Sequence, residues 1–412
     1  MPSPTLPAPS DFAAHWDIDP NTVYLNHGSF GATPRVVLEA QRAWRSRMES
    51  ELVKWFVEEH SGAIDQSRKA LGQFLNCDWD CIAPVPNATI AVATVFANAN
   101  LSPGDEVLIT DHEYPACQNN ARWYAGKHGA TVTVAKIPFP IRSADEVTNA
   151  ILAAVTPRTK YALLSHVTSS SGLIFPLEHI VPALEAKGIR TLVDAAHAPG
   201  MVPGINLRTL GASYYTANCH KWICSPKSGA FLFVRRDLQS NFRPLALSNN
   251  AEQPKQGRSQ FLTEFEYIGT QDMSAFYAIS DAIRVMNGMV PAGWPEVMRR
   301  NHDLCLKGRD ILCNALGMTP AAPDAMVGSI CTMILPPHPK DLQARLSQRP
   351  TKYHDALWDT LLAKWKIQVP IWTVANTGHR TLRISAQLYN SVEQYEYLAK
   401  AIKTELEAEK SL

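Results

Sequence analysis

The chain has 412 residues, 46% of them hydrophobic and 19% charged. That length predicts more than one domain, and the composition excludes a disordered tail, a fibrous repeat and a small disulfide scaffold. With 39 Lys and Arg against 38 Asp and Glu, the net charge is +1, so no basic surplus points to a nucleic acid or an anionic membrane.

Residues 1–20 are rich in proline and read as an arm rather than a packed element. They lack the basic and apolar regions of a signal peptide, and no apolar run reaches the ~18 residues of a membrane span. The eight cysteines form no CxxC, and the Cys77–Cys81 and Cys219–Cys224 spacings do not suit a zinc pair. No metal is expected, and the reading is a cytoplasmic protein with reduced thiols.

From Pro34 to about Phe74, Val37, Ala40, Trp44, Met48 and Leu52 recur at helical steps. Short apolar runs then alternate with helical stretches. Val107–Thr110, Thr131–Val134, Tyr161–Leu164, Thr191–Val193, Ser213–Thr216 and Ala230–Val234 read as strands. One intervening helix opens at Ser143 and Glu146, which have the spacing of a capping box. Continuous apolar strands separated by helices predict an α/β fold with a mainly parallel sheet, its site at the carboxyl ends of the strands. A break from Asn287 to Pro295 divides a large domain, 21–288, from a smaller C-terminal α+β domain, 289–412. The latter holds strands at Ser329–Leu335 and Thr381–Ser385. It closes with a helix entered through a second capping box, Ser391 and Gln394.

The chemistry concentrates between Thr191 and Lys221. Asp194 ends a buried apolar strand, where a carboxylate is costly without a partner. Lys221 follows the end of another strand, between His220 and Trp222; an apolar setting disfavours its ammonium form and makes it nucleophilic. Taken singly, Asp194 reads equally as a helix cap and Lys221 as a solvent-reaching side chain. Together they are the two groups that pyridoxal phosphate asks of a protein: an acid for the pyridine nitrogen and an amine for the Schiff base.

Val193-Asp194-Ala195-Ala196-His197-Ala198 and Cys219-His220-Lys221-Trp222 resemble the class V aminotransferase family, fold type I pyridoxal-phosphate enzymes. Within it the chain is most similar to isopenicillin N epimerase-like proteins. Tyr24–Gly31 and Leu382–Asn390 belong to the same pattern, which runs over about 20–405. The resemblance implies a pyridoxal-phosphate cofactor. Its phosphate would lie on the turn Asn87-Ala88-Thr89, where an ordinary helix N-cap is the other reading, helped by His220 and by Thr216 or Asn218. Tyr114 takes the place of the ring that stacks on the pyridine, and His197 that of a residue bonding its 3′-oxygen. Ser169 would face the cofactor. Gly269-Thr270 resembles a segment donated to the partner subunit's phosphate, which implies a homodimer with shared sites.

Arg383 resembles the residue that holds the substrate α-carboxylate, with Asn26, His27 and Ser29 beside it. A surface ion pair is the alternative for Arg383. The substrate class implied is an amino acid that loses its Cα proton to Lys221. The segment Val369–Arg380 has no cysteine where desulfurases of the family carry one, and Cys331 reads as core. The reaction expected first is therefore epimerisation or racemisation, with His27, Ser29 or Tyr114 as second acid. A C–S β-lyase or aminotransferase reaction is the alternative, and a cofactor-free fold relative the least favoured reading.

Overall fold

The computed structural model describes residues 5–251, 253, 255–374 and 377–411. Met1–Pro4 of the arm, and Ala375 and Asn376 in the segment before Arg383, lie outside the described residues.

The centre is a seven-stranded sheet. Its strands are β2 (Ile82–Val85), β3 (Glu106–Thr110), β4 (Thr131–Ala135), β5 (Thr159–Ser165), β6 (Arg190–Asp194), β7 (Tyr214–Asn218) and β8 (Ala230–Val234). They lie in the order β2-β8-β7-β6-β5-β3-β4. Pairings from β7 through β4 are all parallel, and β8 alone runs against its neighbours. The α/β expectation with a mainly parallel sheet holds. Leu108, Leu163, Leu192, Val193 and Phe231 are fully buried, as strands covered on both faces require. Pro84 sits in the edge strand β2, where a missing N–H costs no interior ladder bond.

The C-terminal part builds a three-stranded antiparallel sheet from β9 (Ile330–Ile334), β11 (Ile371–Thr373) and β12 (Arg380–Ser385), in the order β11-β12-β9. It packs on the helices Trp294–Leu316 and Val392–Glu409. Cys331 lies buried in β9, and burial pushes its thiol up to about 12, which agrees with the core reading.

Three local readings differ from the structure. The arm is packed: Asp11–His15 forms a single 3-10 turn, Trp16 is buried against Tyr389, and Ser10 N–H donates to the Tyr389 carbonyl at 3.1 Å. The chain next enters β1 (Val23–Tyr24), which pairs in parallel with β10 (Ile367–Gln368), so this part of the segment read as large domain adds to the C-terminal unit. The long helix also breaks at Glu51 (φ −149°) and resumes through a π-turn, Trp55–Glu59, which leaves Leu52 half exposed.

The two capping boxes part company. At Ser143 the side chain makes no cap bond, because Glu146 reaches the amide of Arg142 instead, at 3.0 Å. At Ser391 the return bond from its amide to Gln394 forms, at 3.3 Å.

Candidate active site

Because β2, β5, β6 and β7 run in one direction, their carboxyl ends converge on a single rim. A cavity of about 300 Å³ opens there, lined by Asn87, Ala88 and Thr89 after β2, Ser165 and Ser169 from β5 onward, and Asp194 and His197 from β6 onward. Asn218, His220 and Lys221 close it from β7, with Ser29 and Tyr114 at its edge.

Lys221 is half-buried. Burial, and then the charge of Arg383, bring its amine down to about 8, while Asp194 and Cys117 work the other way. Its Nζ lies 3.1 Å from His197 Nε2. On the far side of that imidazole, Nδ1 accepts the Trp222 indole N–H at 3.4 Å. Burial holds His197 well below the usual histidine range, so the ring is neutral, with Nε2 facing the lysine amine. Gly31 and Gly200 let the chain close over this lysine. Both have positive φ; a Cβ at Gly31 would overlap the His220 carbonyl oxygen, and one at Gly200 would stand 2.6 Å from that of Trp222.

Asp194 Oδ1 accepts the Ala196 amide at 3.0 Å and Oδ2 the Cys117 thiol at 3.1 Å. Also in the cavity wall, Asn87 caps the helix Ala88–Ala97, its side chain accepting the Ile90 amide at 2.9 Å. The Ala88 amide donates to Asn218 Oδ1 at 2.9 Å, and Thr89 completes the turn. This helix start, with His220 beside it, suits an anion. The Asn cap and the anion turn are therefore one arrangement rather than rival readings.

Arg383 is 1% exposed, among the described residues has no carboxylate partner, and leaves Nε without an acceptor. Nη1 donates to the Ser169 carbonyl at 2.6 Å, Nη2 donates to Ser29 Oγ at 2.9 Å and to Asn26 Oδ1 at 3.3 Å, and Trp372 covers the guanidinium at 4.6 Å. Burial lowers it to about 10. A surface ion pair is excluded. A buried cation held only by neutral acceptors is a site prepared for an anion.

Thr216 and His27 do not line the cavity, nor do Asn26 and Arg383, which meet it through Ser29 and Ser169. Thr216 is fully buried, and its hydroxyl donates to the Phe231 carbonyl at 2.7 Å, so it is spent within the sheet. His27 is likewise buried behind the lysine: Nδ1 meets the Tyr389 hydroxyl at 2.8 Å and Nε2 the Lys221 carbonyl at 2.9 Å. Burial lowers His27 to about 3, which leaves it neutral. Gly269 and Thr270 do not line this chain's cavity either; the Thr270 hydroxyl bonds that of Tyr267 at the exposed surface. Cys117 and Trp372, by contrast, belong to the site and were not singled out in the sequence. Cys117 could have been found from its place one turn after Tyr114, on a helix that begins at Pro115.

A neutral imidazole on a depressed lysine, a carboxylate and a helix start in one cavity match the amine, acid and anion-holding groups that pyridoxal phosphate requires. The sequence profile of Aminotransferase class-V matches residues 23–398. The chain belongs to the class V aminotransferase family. The family is pyridoxal-phosphate-dependent, and the cofactor expectation stands.

Curated relatives include a probable chloroplastic L-cysteine desulfhydrase of Arabidopsis thaliana, 29% identical over 95% of this chain and 84% of that one. The isopenicillin N epimerase of Amycolatopsis lactamdurans is also 29% identical, over 94% and 96%. Among solved structures, a C-DES mutant with glycine covalently linked to its PLP cofactor superposes with a TM-score of 0.76 at 20% identity, covering 95% of this chain and 98% of that one. A cysteine desulfurase from Escherichia coli gives 0.75 at 18%, covering 96% and 98%. Epimerases and sulfur lyases thus stand side by side, and the family match favours neither. Among the described residues no helix is long and apolar enough to cross a membrane.

Proposed function

We propose that this protein is a pyridoxal-phosphate enzyme that removes the Cα proton of an amino acid and eliminates a sulfur leaving group from Cβ. The observation that carries this reading is that Lys221 stands in the cavity with a depressed amine, while His27, the imidazole expected as a second acid, is buried outside it and neutral.

In this reading Arg383 binds the α-carboxylate of the substrate, roofed by Trp372 and steadied by Asn26 and Ser29. Asn87, Ala88, Thr89 and His220 would hold the cofactor phosphate, Asp194 the pyridine nitrogen and His197 the 3′-oxygen, with Tyr114 and Ser169 beside the ring; all of them line the cavity. When bound, the cofactor supplies the sink for the electron pair that the Cα–H bond leaves behind. Lys221 Nζ takes that proton. Elimination would replace the Cβ–S bond of the substrate by a Cα–Cβ double bond, the thiol leaving with a proton, and water would hydrolyse the released enamine to pyruvate and ammonia.

Epimerisation is the second reading. It is favoured by the epimerase relatives and by the hydroxyls of Ser29 and Tyr114 in the cavity wall, either of which would return the proton from the other side. The active unit in both readings is a homodimer in which Gly269-Thr270 completes the partner's phosphate site.

Incubation with L-cysteine conjugates and other L-amino acids in deuterated water separates the two. Thiol, pyruvate and ammonia without any D-isomer is the expected result. Cα deuterium with accumulation of the D-isomer would overturn elimination in favour of epimerisation.

A further inference from the structure

The cavity wall carries a thiol to which the proposed reaction gives no role. Cys117 is 1% exposed and sits in the first turn of the helix Pro115–Lys127, where its amide donates to the Tyr114 carbonyl at 2.9 Å. Its Sγ lies 3.1 Å from Asp194 Oδ2, while Oδ1 takes the Ala196 amide. Two donors from two elements, the exit of β6 and the start of this helix, therefore fix the plane of one carboxylate.

We propose that Cys117 is a positioning residue: its S–H orients Asp194 and withdraws charge from the oxygen that must face the cofactor's pyridine nitrogen. This inference rests on the cofactor site proposed above. The geometry also ties Tyr114 and Cys117 together, since one helix start presents both the ring at the cavity edge and the thiol on the acid.

The chemistry of the thiol agrees. Burial and the neighbouring Asp194 charge hold Cys117 well above its ordinary value, so it remains a donor rather than a competing anion. The other ionisable groups around Asp194 are Lys221, Glu113 and Tyr215. Glu113 is already engaged with Thr110 and with the amide and hydroxyl of Ser165, and Tyr215 OH bonds His166 at 3.0 Å. Cys117 is thus the side chain that bonds Asp194 directly.

The test is the pH titration of the cofactor's visible absorbance in holoprotein, compared among wild type, Cys117→Ala and Cys117→Ser. Loss of the donor concentrates negative charge near the ring. The midpoint for Cys117→Ala should rise by about half a pH unit, the scale of one neutral hydrogen bond, and cofactor should dissociate several-fold faster. Cys117→Ser keeps a donor and should restore both. The proposal is overturned by an Ala variant that titrates and retains cofactor like wild type, or by Ala and Ser variants that shift alike. An Ala variant whose apoprotein melts earlier with an unchanged titration assigns the thiol to packing and also overturns it. Wild-type protein that takes up no pyridoxal phosphate would instead fail the cofactor reading itself, and this inference with it.

Discussion

Arg383, buried, and Lys221, half-buried, are two neighbouring cations, and each bears on the other. The guanidinium has no counter-charge of its own among the described residues, and its charge is the second cause, after burial, that lowers the lysine amine. A carboxylate placed on Arg383 would satisfy the first need and relieve the second, so substrate binding and the protonation of Lys221 are coupled. Arg383→Lys keeps the charge but loses the planar fork. A charge-assisted hydrogen bond is worth about 1.5–3 kcal/mol, so kcat/KM should fall roughly ten- to hundredfold with the cofactor spectrum nearly unchanged. Loss of cofactor at unchanged KM would place this residue at the phosphate instead.

The lysine has its own pH signature. Its folded value lies below that of a free lysine, so the neutral amine accumulates as pH rises through about 8. Capture of pyridoxal phosphate by apoprotein, followed by absorbance, should accelerate across that value and level off above it. A rate that climbs only toward pH ~10, the range of an ordinary lysine, would mean that the amine is not depressed.

At the scale of elements, the site depends on how closely two segments pass. Gly31 has φ +68°, and any Cβ there would meet the backbone of His220 and Lys221. Gly31→Ala must push the Tyr24–Gly31 segment off the lysine turn, break the bond from His27 to the Lys221 carbonyl, and displace Ser29 from Arg383. Cofactor retention and thermal stability should fall together, with Arg383 geometry lost even in protein that still folds. A Gly31→Ala variant with wild-type melting and wild-type substrate use would show that this contact carries nothing.

The same scale explains what the sequence made legible. The strands announced themselves because β3, β5, β6, β7 and β8 are buried on both faces and so read as unbroken apolar runs. Asp194, Lys221 and Asn87 could be placed because each follows the end of such a run. Thr216 was misassigned because strand alternation alone does not tell whether a hydroxyl at a strand end faces the cavity or its neighbour's carbonyl. His27 looked ionisable and near the cofactor, which is true of its backbone, but Tyr389 and Lys221 had already claimed both ring nitrogens. Those partners lie far away in sequence, and no local pattern reveals them. The same distance hid Trp372 over Arg383 and the pairing of β1 with β10. The packing of the arm escaped because proline-rich composition reports the absence of helix, not the absence of burial.

At the scale of the molecule, one chain leaves apolar surface without a use. Val53 and Val57, one turn apart after the break at Glu51, are 79% and 73% exposed, and Leu52 beside them is half exposed. Phe30, at the rim of the cavity, is equally bare at 73%. Burying an aliphatic or aromatic side chain is worth about 1.5–3 kcal/mol, so four such residues are a costly arrangement for a monomer and a natural one for a protein that pairs with its own copy. Gly269-Thr270 lies outside its own chain's cavity lining, with Thr270 exposed, as a segment given to a neighbour would. We therefore expect a homodimer at micromolar concentration, visible by light scattering on a sizing column. Val53→Asp, which places a charge on the apolar turn without touching any cavity residue, should yield monomers. If the partner completes the phosphate site, those monomers should also hold pyridoxal phosphate more weakly, and raising the protein concentration should recover both pairing and cofactor. A wild-type monomer with full activity, or a Val53→Asp monomer that binds cofactor as tightly as wild type, would remove the shared site from the mechanism.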